Sequence, residues 1–247
     1  MSIENDHDLL CMKKIGSLVA KAREAMIKAV RPGITTKELD QIGGEILISN
    51  GARPAPKLEY DFPGYTCISI NHVVAHGIPD NYVLKEGDMI NIDVSAELNG
   101  YYADTGASIV VGKGEDFKHS LCQVAEESLL KALDSAKAGS KLSEIGRTVH
   151  NEARKNGFTV IKNLTGHGIG KKLHEDPDHI LNFWDKRDKR LLTNGMVLAV
   201  ETFISTGAEY VKDGRDGWAL ITPDKSFVAQ YEHTVVITKG KPIILTA

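Results

Sequence analysis

Apolar residues at the start of the chain recur at steps of three and four positions, which is the period of one face of an α-helix. The set comprises Leu9, Met12, Ile15, Val19, Ala22, Met26 and Ala29. We therefore predict an amphipathic helix over this segment, ended by Pro32-Gly33, because proline and glycine both interrupt a helix.

A second helix is predicted directly after the first. Thr35-Thr36-Lys37-Glu38 has the spacing of a capping box, in which the Thr35 side chain accepts from helix N–H groups while Glu38 reaches back. This helix is expected to run over residues 36 to 50 and to stop at Asn50-Gly51. A proline-rich loop then leads into strands before and after His76.

A hairpin is predicted where alternating and β-branched residues surround Asn99-Gly100, a dipeptide typical of type I′ turns. Centring the turn there pairs Leu98 with Tyr101 and Ser95 with Asp104. Side chains alternate between the two faces of a strand, so Asp93 lies on the same face as Asp104, its diagonal neighbour at about 7–8 Å. Taken singly, each aspartate is more often an ordinary solvated residue. Inside so apolar a strand, however, an unpaired carboxylate is penalised, and a metal ion would remove the penalty.

The order of elements and several residues recur about halfway along the chain. A shift of 106 positions superposes Gly33 on Gly139, Glu38 on Glu144, Asn50 on Asn156 and Gly51 on Gly157, and a shift of 108 superposes Gly87 on Gly195 and Asp93 on Glu201. The identities are few, but both halves follow the order helix, second helix, acid-bearing strands. We predict a duplicated α+β fold in which paired helices cover one face of a curved, mostly antiparallel sheet.

Composition narrows the classes of partner. The chain has 247 residues, 42% hydrophobic and 26% charged, and a net charge of −3, which gives no electrostatic reason to expect a nucleic-acid or membrane partner. Three cysteines without CxxC spacing favour a reducing cytoplasm over a disulfide framework. The first six residues are acidic and polar, unlike a signal peptide.

Further polar residues interrupt the apolar segments of the chain. His76 and His167 stand among glycines, which would let backbone and ligand approach closely, while Glu201 and Glu232 stand inside strand-like runs. Each is singly more often a structural polar group. Together with Asp93 and Asp104, the two glutamates and one histidine make an oxygen-rich set without thiolate, which suits two hard divalent ions better than one tetrahedral zinc. Paired metals about 3.5–4 Å apart polarise a carbonyl for amide hydrolysis.

The motifs resemble those of a known family over nearly the whole chain. They are Cys67 to Asn71, His76 to Pro79, Asn91 to Asp93, Tyr101 to Thr105, Thr165 to Gly170 with His174-Glu175, and Gln230 to Thr234. In order and approximate spacing they resemble the type I methionine aminopeptidases. The resemblance implies the pita-bread fold with an internal pseudo-two-fold, as a single catalytic domain over 1–247 with pseudo-repeats at about 9–112 and 118–240.

The resemblance also implies a two-metal centre. Its ligands would be Asp93, Asp104, His167, Glu201 and Glu232, with Asp104 and Glu232 bridging two divalent ions of cobalt, manganese, iron or zinc. Carboxylates and imidazole accept all four metals, so the residues do not choose among them.

The roles of the remaining site residues follow from the same resemblance. His174 would contact the scissile carbonyl oxygen, His76 the amide nitrogen, and Glu201 would act as general base. The methionine side chain would occupy an apolar pocket formed by Phe62, Cys67, Leu173 and Trp218.

Two departures from the family pattern bear on specificity. Many relatives follow the glutamate at position 201 with proline, whereas this chain has Thr202, so we expect altered strand geometry or pocket lining. The loop from Arg53 to Tyr60 lacks the aromatic and sulfur residues expected at the pocket rim.

Three alternatives are weighed against this hypothesis. Peptidases that act before proline share the ligand types but usually carry a large N-terminal domain, and here Asp93 follows only about ninety residues. A binding protein that has lost catalysis would not need every metal ligand, whereas this chain has all five candidate ligands and both histidines. A type II enzyme would need an insertion between His174 and Glu201, which are only 27 positions apart.

The expected activity is removal of the initiator methionine from nascent proteins whose second residue is small. The expected location is the cytoplasm, with the N-terminal methionine of nascent polypeptides as substrate and the ribosome as a candidate partner. We expect a monomer without nucleic-acid specificity and without a membrane partner.

Overall fold

The computed structural model of the protein describes residues 1–247. Its helices are α1 (Asp6–Ala29), α2 (Thr36–Ser49), α3 (Ala55–Tyr60), α4 (Asp116–Ser135) and α5 (Ser143–Lys155). Its strands are β1 (Arg53–Pro54), β2 (Cys67–Ile70), β3 (Val73–Ala75), β4 (Met89–Leu98), β5 (Tyr101–Val110), β6 (Thr159–Val160), β7 (Thr165–Gly168), β8 (Glu175–Leu181), β9 (Val197–Ser205), β10 (Lys212–Asp213), β11 (Leu220–Ile221), β12 (Val228–Val236) and β13 (Ile243–Ile244).

The first two helices are present, with a small difference at the end of α1. That helix stops at Ala29, and Val30 is already extended, three residues before the predicted stop at Pro32-Gly33. Residues before a proline disfavour the helical region, which explains an earlier end. The capping box of α2 is confirmed: the Thr35 side chain accepts from the Glu38 N–H, and the Glu38 carboxylate accepts from the Thr35 N–H.

The predicted loop from Arg53 to Tyr60 is wrong in its secondary structure. Residues Ala55–Tyr60 form the short helix α3, with Pro56 in its first turn. Proline is tolerated there because the first N–H groups of a helix have no partner within it. Tyr60, the last residue of this segment, therefore has its backbone conformation set by a helix.

One ten-stranded sheet forms the centre of the molecule. Its strand order is β1-β4-β5-β12-β9-β7-β8, with β2 beside β4, β6 beside β9 and β13 beside β12, and a separate three-stranded sheet has the order β10-β11-β3. Every pairing is antiparallel. The two halves of the chain meet where β5 pairs with β12. The predicted mostly antiparallel sheet is confirmed.

The register of the β4–β5 hairpin agrees with the count made from the turn. Leu98 lies opposite Tyr101, and Ser95 lies opposite Asp104. Asn99 and Gly100 both have positive φ, 54° and 81°, as a type I′ turn requires. Asp93 is therefore on the same face as Asp104.

The two halves repeat in backbone geometry as well as in element order. Three glycine pairs have nearly equal φ angles: 92° and 91° at Gly33 and Gly139, 78° and 79° at Gly51 and Gly157, and 80° and 87° at Gly87 and Gly195. These are left-handed conformations that glycine adopts without steric cost. The turns that end corresponding elements in the two halves therefore share one backbone conformation.

Two apolar cores lie between the helices and one face of the sheet. In the first half α1 packs against β4 and β5, around residues such as Met12 and Ile92, and α2 packs against α1, β1 and β2. In the second half α4 packs against β9 and β12, around residues such as Leu129 and Val235, and α5 packs against α4, β6 and β8. None of the helices combines the length and the apolar character needed to cross a bilayer. The opposite face of the central strands is left for polar side chains.

Candidate metal centre

One side chain from each of five adjacent strands points into the same region. In sheet order the strands are β4, β5, β12, β9 and β7, and the residues are Asp93, Asp104, Glu232, Glu201 and His167. Glu232 lies directly opposite Glu201, and His167 lies opposite Ala199, two residues before Glu201. The antiparallel register therefore brings all five predicted ligands onto one face of the sheet.

The five side chains line one cavity and make direct contacts within it. Potential ligand atoms of Asp104, His167 and Glu232 all lie within 4.8 Å of one another. Asp93 lies on the same face as Asp104, on the neighbouring strand of the hairpin. Glu201 faces Glu232 across the β9–β12 pairing. Asp104, His167 and Glu232 are therefore close enough to share a cation, and Asp93 and Glu201 line the same cavity.

The carboxylate cluster (Asp93, Asp104, Glu201 and Glu232) has no lysine or arginine within ion-pair distance. Burial, and then repulsion by Asp104, raises the pKa of Glu201 to about 8. Burial and neighbouring carboxylates also raise the pKa of Asp93 and of Glu232 well above their usual range. Oε1 of Glu232 is buried without a hydrogen-bond partner. Such a group is costly unless a cation compensates it, so these residues fit hard divalent metal ions.

His167 is prepared as a ligand through its second ring nitrogen. Its Nδ1 lies 2.9 Å from the carbonyl oxygen of Gly168, and a carbonyl only accepts, so Nδ1 carries the proton. Burial, with the neighbouring His174, lowers the pKa of His167 to about 4. The imidazole is therefore neutral, with a lone pair on Nε2 available to a metal.

Gln230 is a functional candidate to which the sequence assigned no role. Its Nε2 donates to Oε2 of Glu232 at 3.0 Å and lies 3.5 Å from Oε2 of Glu201. Its own carbonyl oxygen accepts from Asn91 at 2.7 Å, and a Cβ on Gly106 would overlap the Gln230 side chain. Its position two residues before Glu232, on the same strand face, is the pattern that would have identified it.

The two other histidines predicted for the site, His76 and His174, line the same cavity. His76 directly follows β3 with a left-handed φ of 56°, and burial lowers its pKa. The His174 ring lies 4.2 Å from the His167 ring, centroid to centroid. Burial, and then the nearby His76, lowers the pKa of His174. Both rings are therefore neutral hydrogen-bonding groups near the carboxylate cluster.

The cavity has a volume of about 440 Å³ and an apolar side beside the acids. Phe62, Cys67, Leu173 and Trp218, expected as the methionine pocket, all line it. The rings of Phe62 and Trp218 meet edge to face, with centroids 5.1 Å apart at 85°. Burial, with the charges of Asp93 and Asp104, raises the pKa of Cys67 well above its ordinary value, so the residue is a thiol rather than a nucleophile. Lining residues not singled out from the sequence are Pro56, Tyr60, Ala75, Ser95, Asn163, Leu164, Thr165, Asp178, His179 and Phe203.

Two expectations about the site are corrected by the structure. Thr202 does not alter the pocket lining: strand β9 continues regularly through it to Ser205, and its hydroxyl donates to the carbonyl of Ala125 in α4. The glycines beside His76 and His167 serve backbone packing rather than ligand approach. A Cβ on Gly77 would overlap the carbonyl of Ile68, and one on Gly166 would overlap that of Ala199.

Comparison with known proteins agrees with this geometry. Residues 10–239 match the model of metallopeptidase family M24. The chain is 57% identical over 247 residues to methionine aminopeptidase 2 of Bacillus subtilis (strain 168), covering 100% of this chain and 99% of that protein.

Solved structures show the same likeness. A methionine aminopeptidase from Rickettsia prowazekii superposes with a TM-score of 0.94 at 37% identity, with 100% of both chains covered. A methionine aminopeptidase from Thermotoga maritima superposes with a TM-score of 0.95 at 35% identity, covering 100% of this chain and 99% of that one.

Proposed function

This chain belongs to metallopeptidase family M24, and from that premise we propose that it is a type I methionine aminopeptidase. Its reaction is hydrolysis of the first peptide bond of a polypeptide that begins with methionine. The observation that carries the proposal is the carboxylate cluster on adjacent strands, completed by His167, beside an apolar cavity lined by Phe62 and Trp218. The acids that would bind metal ions for hydrolysis therefore lie next to a space that fits one apolar side chain.

The cluster would hold two divalent ions of manganese, iron, cobalt or zinc. Asp93, Asp104, His167, Glu201 and Glu232 would be the ligands, with Asp104 and Glu232 shared between the ions. Glu232 supports this because one of its buried oxygens lacks a partner. Bound ions would polarise the scissile carbonyl as Lewis acids and would lower the pKa of water, so that hydroxide is available as nucleophile at neutral pH.

The chain's own groups then move protons and stabilise charge. Glu201 takes the proton of the attacking water and later delivers it to the leaving amine. His174 donates a hydrogen bond to the carbonyl oxygen as negative charge develops there. His76 contacts the nitrogen of the bond being cut.

Substrate selection follows from the two sides of the cavity. Phe62, Cys67, Leu173 and Trp218 would enclose the methionine side chain, while the carboxylate cluster and its ions would receive the free α-amino group. Only a terminal residue presents that amino group. In the proposed reaction the residue after methionine is small.

The experiment is a comparison of two peptides with purified protein and added Mn(II) or Co(II). We expect release of free methionine from Met-Gly-Met and no cleavage of Ala-Pro. The second peptide tests the other candidate function, a peptidase that acts before proline, which uses the same ligand types. Cleavage of Ala-Pro alone would overturn the assignment. Methionine release that disappears in the Asp93→Asn variant excludes a contaminating peptidase.

The physiological setting belongs to the same proposal. Residues 1–247 would act as a single catalytic domain and as a monomer in the cytoplasm, on nascent chains whose initiator methionine is exposed. The ribosome is the candidate partner because it presents those chains. Co-sedimentation of purified protein with ribosomes, at low and moderate salt, tests that contact.

A further inference from the structure

A phenol at the rim of the cavity contacts the histidine assigned to the carbonyl oxygen. The hydroxyl of Tyr60 lies 2.7 Å from Nδ1 of His174, and the two rings are tilted at 52° with centroids 6.1 Å apart. No other protein group is hydrogen-bonded to that hydroxyl. Tyr60 is the last residue of α3, in the segment that the sequence suggested lacks rim aromatics.

The helix that carries Tyr60 is itself fixed to the sheet. The hydroxyl of Tyr102 donates to the carboxylate of the preceding residue, Glu59, across to strand β5. After Tyr60 the chain turns sharply, since Asp61 has a left-handed φ of 57° and its N–H caps the carbonyls of α3. Half of the Tyr60 side chain remains exposed, but its backbone is held on both sides. The hydroxyl is therefore directed at His174 by α3 rather than by a free loop.

The direction of the proton in this hydrogen bond decides which nitrogen of His174 can donate. A neutral imidazole carries its proton on one ring nitrogen and a lone pair on the other. A phenol hydroxyl is a better donor than acceptor, and the hydroxyl of Tyr60 has no alternative acceptor in the protein. Donation to Nδ1 leaves the proton of the ring on Nε2.

We propose that Tyr60 is a positioning residue for His174, whose hydroxyl donates to Nδ1 and fixes the tautomer that carries the proton on Nε2. This inference rests on the proposed function, in which His174 donates to the carbonyl oxygen of the bond being cut. A wrong tautomer would present a lone pair to that oxygen and would repel the developing charge. Tyr60 thus acts on the rate of the chemical step through His174, without touching the substrate carbonyl.

The first test reads the tautomer directly, independently of activity. A ¹H–¹⁵N multiple-bond correlation spectrum of the metal-free protein, repeated with diamagnetic Zn(II), identifies the protonated nitrogen of His174. The His174→Ala variant assigns the signal. We expect the proton on Nε2 in the native protein and a mixture of tautomers in Tyr60→Phe. A native His174 with its proton on Nδ1, or the same single tautomer in both proteins, would overturn the inference.

The second test separates positioning from pocket lining. Tyr60→Phe keeps the ring and removes only the hydroxyl, so we expect kcat on Met-Gly-Met to fall about tenfold, the effect of one hydrogen bond, with KM little changed. Tyr210→Phe is the matched control, because Tyr210 is exposed and lies outside the cavity lining. A raised KM with unchanged kcat would mean a pocket role and would contradict the inference.

The two failures can be told apart. If native protein releases no methionine with any of the four metals, the proposed function fails, while the spectrum still reports the tautomer. If native protein is active and Tyr60→Phe keeps both its kcat and its tautomer, only the positioning role of Tyr60 is lost.

Discussion

Strand β4 carries two acids on one face, four residues apart: Glu97 is buried, Asp93 is half-buried, and they lie in opposite environments. Glu97, near the hairpin turn, is held by the guanidinium of Arg53 at 2.6 Å and by the N–H of Gly100. Burial opposes its ionisation, but these hydrogen bonds lower the pKa of Glu97 below its ordinary value. Asp93, in the middle of the strand, has carboxylates as its neighbours, and its pKa is raised.

The difference separates a structural acid from a functional one. A fold that needs a buried carboxylate for stability supplies donors from nearby backbone or an arginine, as at Glu97. The carboxylate cluster instead concentrates like charge and leaves an oxygen of Glu232 without a partner. Burial alone does not mark a site; burial without compensation does.

The largest expected effect is on turnover. Asp93→Asn removes one charged ligand, so we expect loss of metal and a fall in kcat/KM of at least about a thousandfold. Glu97→Gln, on the same strand face, should change kcat/KM less than about threefold. Metal analysis and methionine release on both variants provide the comparison. A metal-free Asp93→Asn protein with native activity would refute the ligand assignment.

A smaller loss is expected where the metal is kept but a donor is removed. His174→Ala should bind metal as the native protein does and lose about a hundred- to a thousandfold in kcat, the usual effect of deleting a donor to developing charge. A methionine-release assay measures kcat, and metal analysis measures the bound metal. Loss of metal in this variant would instead make His174 a ligand.

Gln230 tests whether the groups that orient the cluster matter. Gln230→Ala removes the donor to Glu232 and should weaken metal affinity about ten- to a hundredfold, as is typical for groups that orient ligands. Gln123→Ala, on the exposed face of α4, is the matched control. Calorimetric metal titration distinguishes them, and equal affinity in both variants would mean that Gln230 does not orient the ligands.

The β4–β5 hairpin and the β9–β12 pairing differ in how well the sequence predicts them. The β4–β5 register was correct because a two-residue Asn99-Gly100 turn fixes it locally. The alignment of Glu201 with Glu232 depends on strands that are distant in sequence, and no local pattern specifies that pairing. The segment with Pro54, Pro56 and Pro63 was predicted as a loop because proline usually interrupts a helix, but Ala55–Tyr60 form α3.

The error at Thr202 was avoidable from the sequence. Side chains alternate along a strand, so if Glu201 faces the site then Thr202 faces the helices.

Stability of the metal-free protein should respond oppositely at the two kinds of acid. Glu232→Gln removes an uncompensated buried charge, so the free energy of unfolding should rise by about 1–3 kcal/mol. Glu97→Gln breaks a pair whose Arg53 side chain is 61% exposed, so solvent screening limits the loss to about 1 kcal/mol or less. Urea unfolding of chelator-treated proteins measures both. Destabilisation by Glu232→Gln would show that its charge is compensated by the protein itself.

The smallest expected effect is on the pH dependence of stability in the metal-free protein. Burial raises the pKa of Glu201 to about 8 from an ordinary 4.5, so the folded state binds a proton that the unfolded state does not. Stability should therefore rise as pH falls from about 8 towards 4.5, and decrease again as pH is raised. The Glu201→Gln variant should lose this part of the dependence. A stability difference between the metal-free native protein and Glu201→Gln that stays constant over that fall in pH would contradict the assigned environment.

In the proposed reaction, the carboxylate cluster and His167 hold the divalent ions on which hydrolysis depends. The most direct measurement is methionine release from Met-Gly-Met by chelator-treated protein as Mn(II) is added back, with bound metal determined in the same samples. We predict no release without metal, recovery in proportion to bound metal, and no recovery in Asp93→Asn. Full release by native protein that contains no metal would show that hydrolysis does not depend on the ions.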